Sequence, residues 1–168
     1  MVKVVIIING AGGAGKDTLC EYVSAHLNSV NVSSITPIKD IAGSYGWNGE
    51  KDEASRKFLS DLKRTFIDFN NLPTEYLLTE YADFMNGPAV VFFAHVREPS
   101  EIDKFKERIQ SPCVTLLIRR SENKSWGNDS DDDVENYSYD YYFDNDKALD
   151  ETQIEFHSLI CKIMNEVG

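Results

Sequence analysis

The sequence predicts a three-layer α/β/α domain with a five-stranded parallel sheet. Two continuous apolar runs, Val2 to Ile8 and Ala89 to Ala94, are typical of strands that are buried on both faces. Strand patterns alternate with helical patterns along the chain, which favours parallel pairing because parallel neighbours need a crossover connection. In such sheets ligands bind beyond the carboxyl ends of the strands, so the segments that follow each strand are the first candidates for a site.

The first half of the chain begins with a strand, a helix and a second strand. After the Val2 to Ile8 strand, the pattern predicts a helix from Lys16 to Leu27 and a short strand from Asn31 to Ser34. Thr36 and Pro37 then have the chemistry of an N-cap and a first helical position, which predicts a further helix through Tyr45.

Two longer helices follow an irregular segment from Ser44 to Asp52. The first begins at Glu53, and Pro73 either ends it or starts the second helix, which Asn86-Gly87-Pro88 stops. The apolar residues that recur at helical spacing are Phe58, Leu59, Leu62, Phe66 and Phe69 in the first helix and Tyr76, Leu77, Tyr81 and Phe84 in the second.

The second half adds three strands and two helices. Ala89 to Ala94 leads into a helix from Pro99 to Ile109, and Cys113 to Ile118 is the fourth strand. Ser121 to Tyr139 is polar and aperiodic, which predicts a long exposed loop, and Tyr141 to Phe143 is the fifth strand. The closing helix is predicted to present one apolar face, made of Leu149, Phe156, Leu159, Ile160, Ile163 and Val167.

Length, composition and charge exclude several classes of protein. A chain of 168 residues with 42% hydrophobic residues is expected to fold as one domain, residues 1–168. No run reaches the length of a membrane span, and Met1 begins a core strand rather than a signal peptide, which predicts a cytoplasmic protein with no membrane partner. The net charge of −11 argues against nucleic acid as a partner. Cys20, Cys113 and Cys161 fit no disulfide or metal framework and are expected to be reduced thiols.

The turn after the first strand carries the most specific signal. Gly10 to Lys16 satisfies G-x-x-x-x-G-K, the phosphate-binding P-loop or Walker A pattern, although Asp17 stands where Ser or Thr usually holds Mg²⁺. Glycines let successive N–H groups turn toward an anion, the following helix adds its dipole, and Lys16 adds a mobile cation. This predicts a nucleoside-triphosphate site in a P-loop NTPase fold. Its candidate ligands are Gly10, Ala11, Gly12, Gly13, Ala14, Gly15, Lys16, Asp17 and Thr18.

Five segments together resemble small-molecule kinases of the nucleoside-monophosphate-kinase type. They are Gly15-Lys16-Asp17, Pro37-Ile38-Lys39, Val96 to Glu101, the acidic Asn128 to Glu135, and Asp140 to Asn145. Within that group the chain looks most like deoxynucleoside monophosphate kinases and animal-type phosphomevalonate kinases, and the similarity spans nearly the whole chain.

The resemblance implies an ATP- and Mg²⁺-dependent kinase that transfers the γ-phosphoryl group to a phosphomonoester. The expected acceptor is a (deoxy)nucleoside monophosphate, bound by an acceptor segment over about residues 35–72 under a lid over about 120–138. Two alternatives stay open: a kinase for a non-nucleotide phosphorylated metabolite, and an ATP-binding regulatory module with little catalysis. The expected partner is a small molecule, and the protein is expected to be a monomer or homodimer.

The same resemblance assigns catalytic roles to Lys16, Arg97, Arg119 and Arg120. Arg97 follows the third strand, where it reaches an acceptor phosphate or forms a structural ion pair with a neighbouring glutamate. Arg119 and Arg120 precede the lid, and since adjacent residues of a strand point to opposite sides, only one of them is expected to clamp the transferring phosphate.

The remaining assignments concern the acceptor, the base and the metal. Lys39, Arg56, His95 and Arg97 are candidate acceptor ligands, with solvated helix faces as the alternative for Lys39 and Arg56. His95 stands where many P-loop kinases have an acidic residue, so either Asp17 carries the metal role alone, or His95 contacts the acceptor, or turnover is slow. Asn145 and Asp146 are implied beside the adenine, and Asp17 and Thr18 are the candidate metal ligands.

Overall fold

A computed structural model of the protein describes residues 2–121 and 133–168. One five-stranded parallel sheet in the order β2-β3-β1-β4-β5 carries helices on both faces, so the predicted fold class is confirmed. The strands are β1 Val4–Asn9, β2 Ser29–Ser33, β3 Val91–His95, β4 Cys113–Arg119 and β5 Tyr141–Asp144. The helices are α1 Lys16–Ser24, α2 Thr36–Ser44, α3 Glu53–Asn70, α4 Leu72–Asn86, α5 Pro99–Lys106 and α6 Leu149–Val167, with a 3₁₀ turn at Val134–Asn136.

The continuous apolar run of β1 arises because both faces of the central strand are covered. Every residue of β1 is buried. Its Ile6 and Ile8 pack with α1 and α6, where Phe156 is fully buried. Val5 and Ile7 face the opposite layer of α4 and α5. None of the described helices is long and apolar enough to cross a bilayer.

The parallel register brings the ends of three strands to one edge. Ile8 pairs with His95 of β3, and Asn9 pairs with Leu117 of β4. The glycine-rich turn, the residues after His95 and the residues after Arg119 therefore lie around the same edge, as the sequence predicts.

One predicted helix start and several predicted buried faces were wrong, whereas one of the two alternatives for Pro73 is confirmed. The N-cap of α2 is Ile35 and makes no side-chain cap hydrogen bond, so Thr36 is already helical. Pro73 lies in the first turn of α4, so it starts the second helix and does not end the first. The apolar faces are also narrower than the spacing suggests, since Phe58, Phe69 and Leu149 are 46%, 79% and 58% exposed.

The predicted acceptor segment forms a small layer of its own at the side of the sheet. Ile38 and Ala42 of α2 and Leu59 of α3 make a separate apolar cluster, against which Trp47 and Phe66 pack. Of the predicted lid, residues 122–132 lie outside the described residues. The 3₁₀ turn that follows anchors the end of the predicted lid through the buried Val134.

Candidate active site

The loop between β1 and α1 needs glycine for steric reasons at two positions. Gly15 caps α1 in the left-handed conformation, with φ 89°, and a Cβ there would lie 2.4 Å from Asn145 Nδ2. A Cβ at Gly10 would lie 2.5 Å from the carbonyl oxygen of Ile118. Gly13 also has a positive φ, of 82°. The loop therefore lies directly against β4 and against the residue that follows β5.

A fully buried asparagine, which the sequence analysis missed, fixes the start of the loop. Asn9 Oδ1 accepts a hydrogen bond from the Gly10 N–H at 2.8 Å. Asn9 Nδ2 donates to the carbonyl oxygen of Arg97 at 2.8 Å and to Tyr139 Oη at 2.9 Å. One side chain thus joins the loop, the β3–α5 connection and the end of the predicted lid. The available signal was a polar residue closing an otherwise apolar strand.

A second asparagine fixes the other end of the loop. Asn145 Nδ2 donates to the carbonyl oxygen of Ala14 at 2.8 Å, and its N–H donates to the carbonyl oxygen of Arg119 at 2.7 Å. Asn145 is 9% exposed, so its side chain lies beneath the loop. The exposed carboxylate of Asp146 accepts from the N–H and Oγ of Ser121, both at 2.7 Å. An adenine contact by either residue stays a prediction.

Lys16 lies over the loop that precedes it. Its Nζ donates to the carbonyl oxygen of Gly10 at 2.8 Å and to that of Ala11 at 3.4 Å. The ammonium group therefore lies near the N-terminus of α1, and both carry positive potential. A polyphosphate is the anion that such a site suits best, because it can use the loop and the ammonium group at once.

His95 ends β3 and faces the first turn of α1. Its side chain is 10% exposed, and its Nδ1 lies 3.9 Å from Oδ1 of Asp17. Its Nε2 donates to Asn31 Oδ1 at 2.5 Å. Burial lowers the pKa of His95 to about 4, while Asp17 opposes this shift and Lys16 adds to it, so the imidazole is neutral near pH 7.

The donors around this turn fit a divalent cation that a triphosphate also binds. Asp17 and Thr18 are both exposed on the first turn of α1, and His95 Nδ1 is buried with no hydrogen-bond partner among the described residues. Within residues 2–121 and 133–168, no three His, Cys, Asp or Glu side chains could hold a metal by themselves. A cation here would therefore complete its shell with phosphate oxygens and water.

The two arginines after β4 have different surroundings. Arg119 donates to both carboxylate oxygens of Glu135, from Nε at 3.0 Å and from Nη2 at 2.9 Å, and its Cζ lies 4.5 Å from the centre of the Tyr142 ring. The hydrogen bond with Glu135 raises the pKa of Arg119. Arg120 is exposed and lies close enough to Asp146 to help lower the pKa of that carboxyl. A phosphate contact by Arg119 stays a prediction, and through Nε or Nη2 it would compete with Glu135.

Arg97 is half-buried. Its backbone lies beside the loop, because its carbonyl oxygen accepts a hydrogen bond from Asn9 Nδ2. The two glutamates that follow Arg97 bind lysines. Glu98 Oε2 accepts from Lys63 Nζ at 2.7 Å, and the buried Glu101 accepts from Lys104 Nζ at 2.7 Å. The spacing of Lys63 and Arg56, two turns apart on α3, predicts a shared polar face for the two side chains, and for Lys63 this is wrong. Lys63 is instead 4% exposed and joins α3 to the start of α5.

The other predicted acceptor ligands lie on the α2–α3 layer. Lys39 is exposed on α2, and Arg56 is half-buried with its Nε donating to the carbonyl oxygen of Lys51 at 3.0 Å. Between α3 and the start of α5 there is a cleft of about 210 Å³. Polar side chains in its lining include Ser60, Arg64, Glu98, Ser100 and Asp133.

Comparison with known proteins gives structural matches only. No protein-family model and no curated protein matches the chain. A suspected kinase from Chloroflexus aurantiacus matches with a TM-score of 0.61 and 10% identity, over 99% of this chain and 98% of that one. Shikimate kinase from Bacteroides thetaiotaomicron matches with a TM-score of 0.55 and 16% identity, over 96% of this chain and 98% of that one. A Janibacter sugar kinase matches with a TM-score of 0.52 and 11% identity, over 98% of this chain and 95% of that one. At these identities the likeness shows the fold, which is that of P-loop kinases across the chain.

Proposed function

We propose that the protein is an ATP-dependent phosphotransferase that moves the γ-phosphoryl group to a phosphomonoester, with a (deoxy)nucleoside monophosphate as the acceptor. The observation that carries this proposal is the loop. Gly10 and Gly15 let the loop pack closely against Ile118 and Asn145 before α1 begins, and the Lys16 ammonium binds the carbonyl oxygen of Gly10. Phosphoryl transfer asks a protein mainly for positioning and for positive charge around the migrating group.

Different residues bind the phosphoryl donor and the acceptor. The loop N–H groups and Lys16 hold the outer phosphates of ATP, and Arg97 orients the acceptor phosphate from the adjoining strand end. Arg119 or Arg120 reaches the transferring group from the start of the lid. Mg²⁺, held on the protein side by Asp17 and Thr18, neutralises charge on the triphosphate when it is bound.

The state of His95 favours a phosphate acceptor over a hydroxyl acceptor. A hydroxyl must lose its proton as it attacks, which calls for a base aimed at it. A phosphomonoester is already largely ionised at pH 7, because its second pKa is about 6. His95 donates from Nε2 to Asn31 and directs Nδ1 toward Asp17, so neither ring nitrogen is directed at an acceptor hydroxyl.

The test is ADP release from ATP and a divalent cation across a panel of ribo- and deoxynucleoside monophosphates. At least one acceptor is expected to raise the rate well above that with ATP alone. Lys16→Ala is expected to abolish the increase, whereas Lys162→Ala, which removes an exposed ammonium on α6, is expected to leave it unchanged. ATP binding without turnover for any phosphomonoester would contradict the proposal and favour a regulatory module.

One observation favours a smaller acceptor as a second candidate. The cleft between α3 and α5 measures about 210 Å³, less than the roughly 300–1,000 Å³ of ordinary small-molecule pockets. A phosphorylated metabolite without a base would need less room. Non-nucleotide phosphomonoesters in the same panel decide between the two, because each candidate predicts a different acceptor with the higher kcat/KM.

A further inference from the structure

We propose that His95 Nδ1 and Asp17 together bind the divalent cation that accompanies the triphosphate, and that the site therefore prefers Mn²⁺ or Co²⁺ to Mg²⁺. This inference rests on the proposed triphosphate site, and it adds a nitrogen ligand where oxygen ligands were expected. Three features of the described residues support it: the imidazole is buried, Asn31 orients it, and Asp17 lies close to its Nδ1.

The imidazole is buried without satisfying both of its nitrogens. Only 10% of the His95 side chain is exposed. Its Nδ1 has no hydrogen-bond partner in the described parts of the chain and is shielded from solvent. A buried polar atom left in this state costs free energy unless something binds it.

Asn31 fixes which nitrogen is available. Its Oδ1 lies 2.5 Å from His95 Nε2, and an amide oxygen can only accept, so Nε2 carries the proton. Nδ1 therefore presents a lone pair. Imidazoles that bind metals are held in this way, with the second ring nitrogen donating to an oxygen that sets the tautomer and the ring orientation.

The lone pair faces a carboxylate. Asp17 Oδ1 lies 3.9 Å from Nδ1, and two acceptors cannot bond to each other. A cation between them satisfies both, because two metal–ligand bonds of about 2.1 Å reach across at most about 4.2 Å. Asp17 is 88% exposed on its side chain, so it is free to make the small adjustment that closes such a bridge.

The donor chemistry sets the choice of metal. Mg²⁺ prefers oxygen ligands, whereas an imidazole nitrogen raises affinity along the series from Mn²⁺ through Co²⁺. Replacing the nitrogen by a carboxylate oxygen removes that advantage. His95→Asp is therefore expected to move the preference of the site back toward Mg²⁺.

The decisive experiment detects the nitrogen directly. Mn²⁺ is bound to the protein with inorganic tripolyphosphate, which contains no nitrogen, and pulsed electron paramagnetic resonance measures modulation from a directly coordinated ¹⁴N. The wild type is expected to show this modulation, and labelling its histidines with ¹⁵N is expected to replace the ¹⁴N pattern without any mutation. His26→Asn, a change at an exposed histidine in the turn after α1, is expected to leave the signal intact.

Binding measurements supply a second readout. The quantity compared is the ratio of the Mn²⁺ affinity to the Mg²⁺ affinity. For the wild type with tripolyphosphate this ratio is expected to be at least tenfold higher than for tripolyphosphate in free solution. His95→Asp is expected to lose most of that increase. A Mn²⁺–tripolyphosphate complex that forms without ¹⁴N modulation overturns the inference and leaves the proposed phosphotransferase standing. Failure to bind tripolyphosphate with any cation overturns both.

Discussion

Two buried amide side chains determine the shape of the nucleotide loop. Asn9 holds its first N–H and Asn145 holds the carbonyl oxygen of Ala14, so both ends of the loop are fixed to the sheet. Of the glycines between these two ends, Gly15 lies so close to Asn145 that an added Cβ would be 2.4 Å from its Nδ2. Glycine at position 15 therefore has two separate causes: a left-handed backbone and the proximity of Asn145.

Substituting Gly15 by alanine separates these two causes. The variant must adopt φ 89° with a Cβ and must displace the Asn145 amide at 2.4 Å, which together are expected to cost about 3 kcal/mol of unfolding free energy. Gly49 has φ 87° with no atom within 4 Å of an added Cβ, so Gly49→Ala measures the backbone cost alone, about 1–2 kcal/mol. Urea denaturation gives both values. Equal losses for the two variants would show that the contact with Asn145 is unimportant.

The buried imidazole of His95 predicts a pH dependence of stability. The folded protein keeps His95 neutral down to about pH 4, whereas in the unfolded chain it protonates near its ordinary value of 6.5. The unfolded state therefore binds more protons in this range, and the unfolding free energy is expected to fall as the pH drops from 6.5 toward 4, by up to about 3 kcal/mol.

Urea titrations in a chelating buffer measure this dependence, with His95→Asn as the control. The control is expected to flatten the change between pH 6.5 and 4. The exposed Asp52 and Asp146 have lowered pKa values and add their own losses only below the ordinary carboxyl value of 3.8. If His95→Asn kept the full pH dependence of the unfolding free energy, groups other than His95 would be responsible for it.

At the scale of elements, the sequence predicts the strands and the loop because their signals are local. β1 is a continuous apolar run since both of its faces are covered, and the loop pattern needs only its own residues and the helix that follows. Burial of Lys63 could not be predicted, because it depends on Glu98, which lies 35 residues away and meets it only when α3 packs beside α5. The same holds for Asn31, whose value as the partner of His95 depends on the register between β2 and β3.

The connection from β4 to β5 supplies a carboxylate partner for Arg119. Both carboxylate oxygens of Glu135 accept from this guanidinium, which also lies over the Tyr142 ring. Because Arg119 cannot bind Glu135 and a phosphate with the same donors, the pair competes with the proposed role of Arg119 in the site. A triphosphate contact by Arg119 would therefore link ligand binding to the 3₁₀ turn that carries Glu135.

Glu135→Gln is expected to release Arg119 and to tighten triphosphate binding. The pair is about half exposed, and exposed pairs contribute about 0.2–1 kcal/mol, so the affinity is expected to rise by a factor of up to about five with little change in stability. Isothermal titration with a non-hydrolysable ATP analogue measures the affinity. Glu151→Gln, which removes an exposed partner of Lys147 on α6, should have no such effect. Unchanged affinity in Glu135→Gln would exclude Arg119 as a triphosphate ligand.

At the scale of the whole molecule, a strongly acidic chain places four of its cationic residues at or after strand ends on one side of the sheet. The net charge is −11, yet Lys16, Arg97, Arg119 and Arg120 all come from the loop and from strand ends at one edge of the sheet. The sheet makes this possible, since its central strand contacts both neighbours and carries the loop. Ligand binding at that edge is therefore expected to stabilise the whole domain against unfolding.

Thermal unfolding is expected to be a single transition, and a bound triphosphate is expected to raise its midpoint temperature. At about 100 times its dissociation constant a ligand adds about 2.7 kcal/mol, which corresponds to roughly 5–10 °C for a domain of this size. Scanning calorimetry with a non-hydrolysable ATP analogue and Mn²⁺ or Mg²⁺ measures the shift, and Lys16→Ala is expected to remove it because the loop loses its ammonium group. Two transitions, of which only one responded to the ligand, would mean that the α2–α3 layer unfolds separately from the sheet. Its own apolar cluster of Ile38, Ala42 and Leu59 is the feature that makes this outcome worth testing.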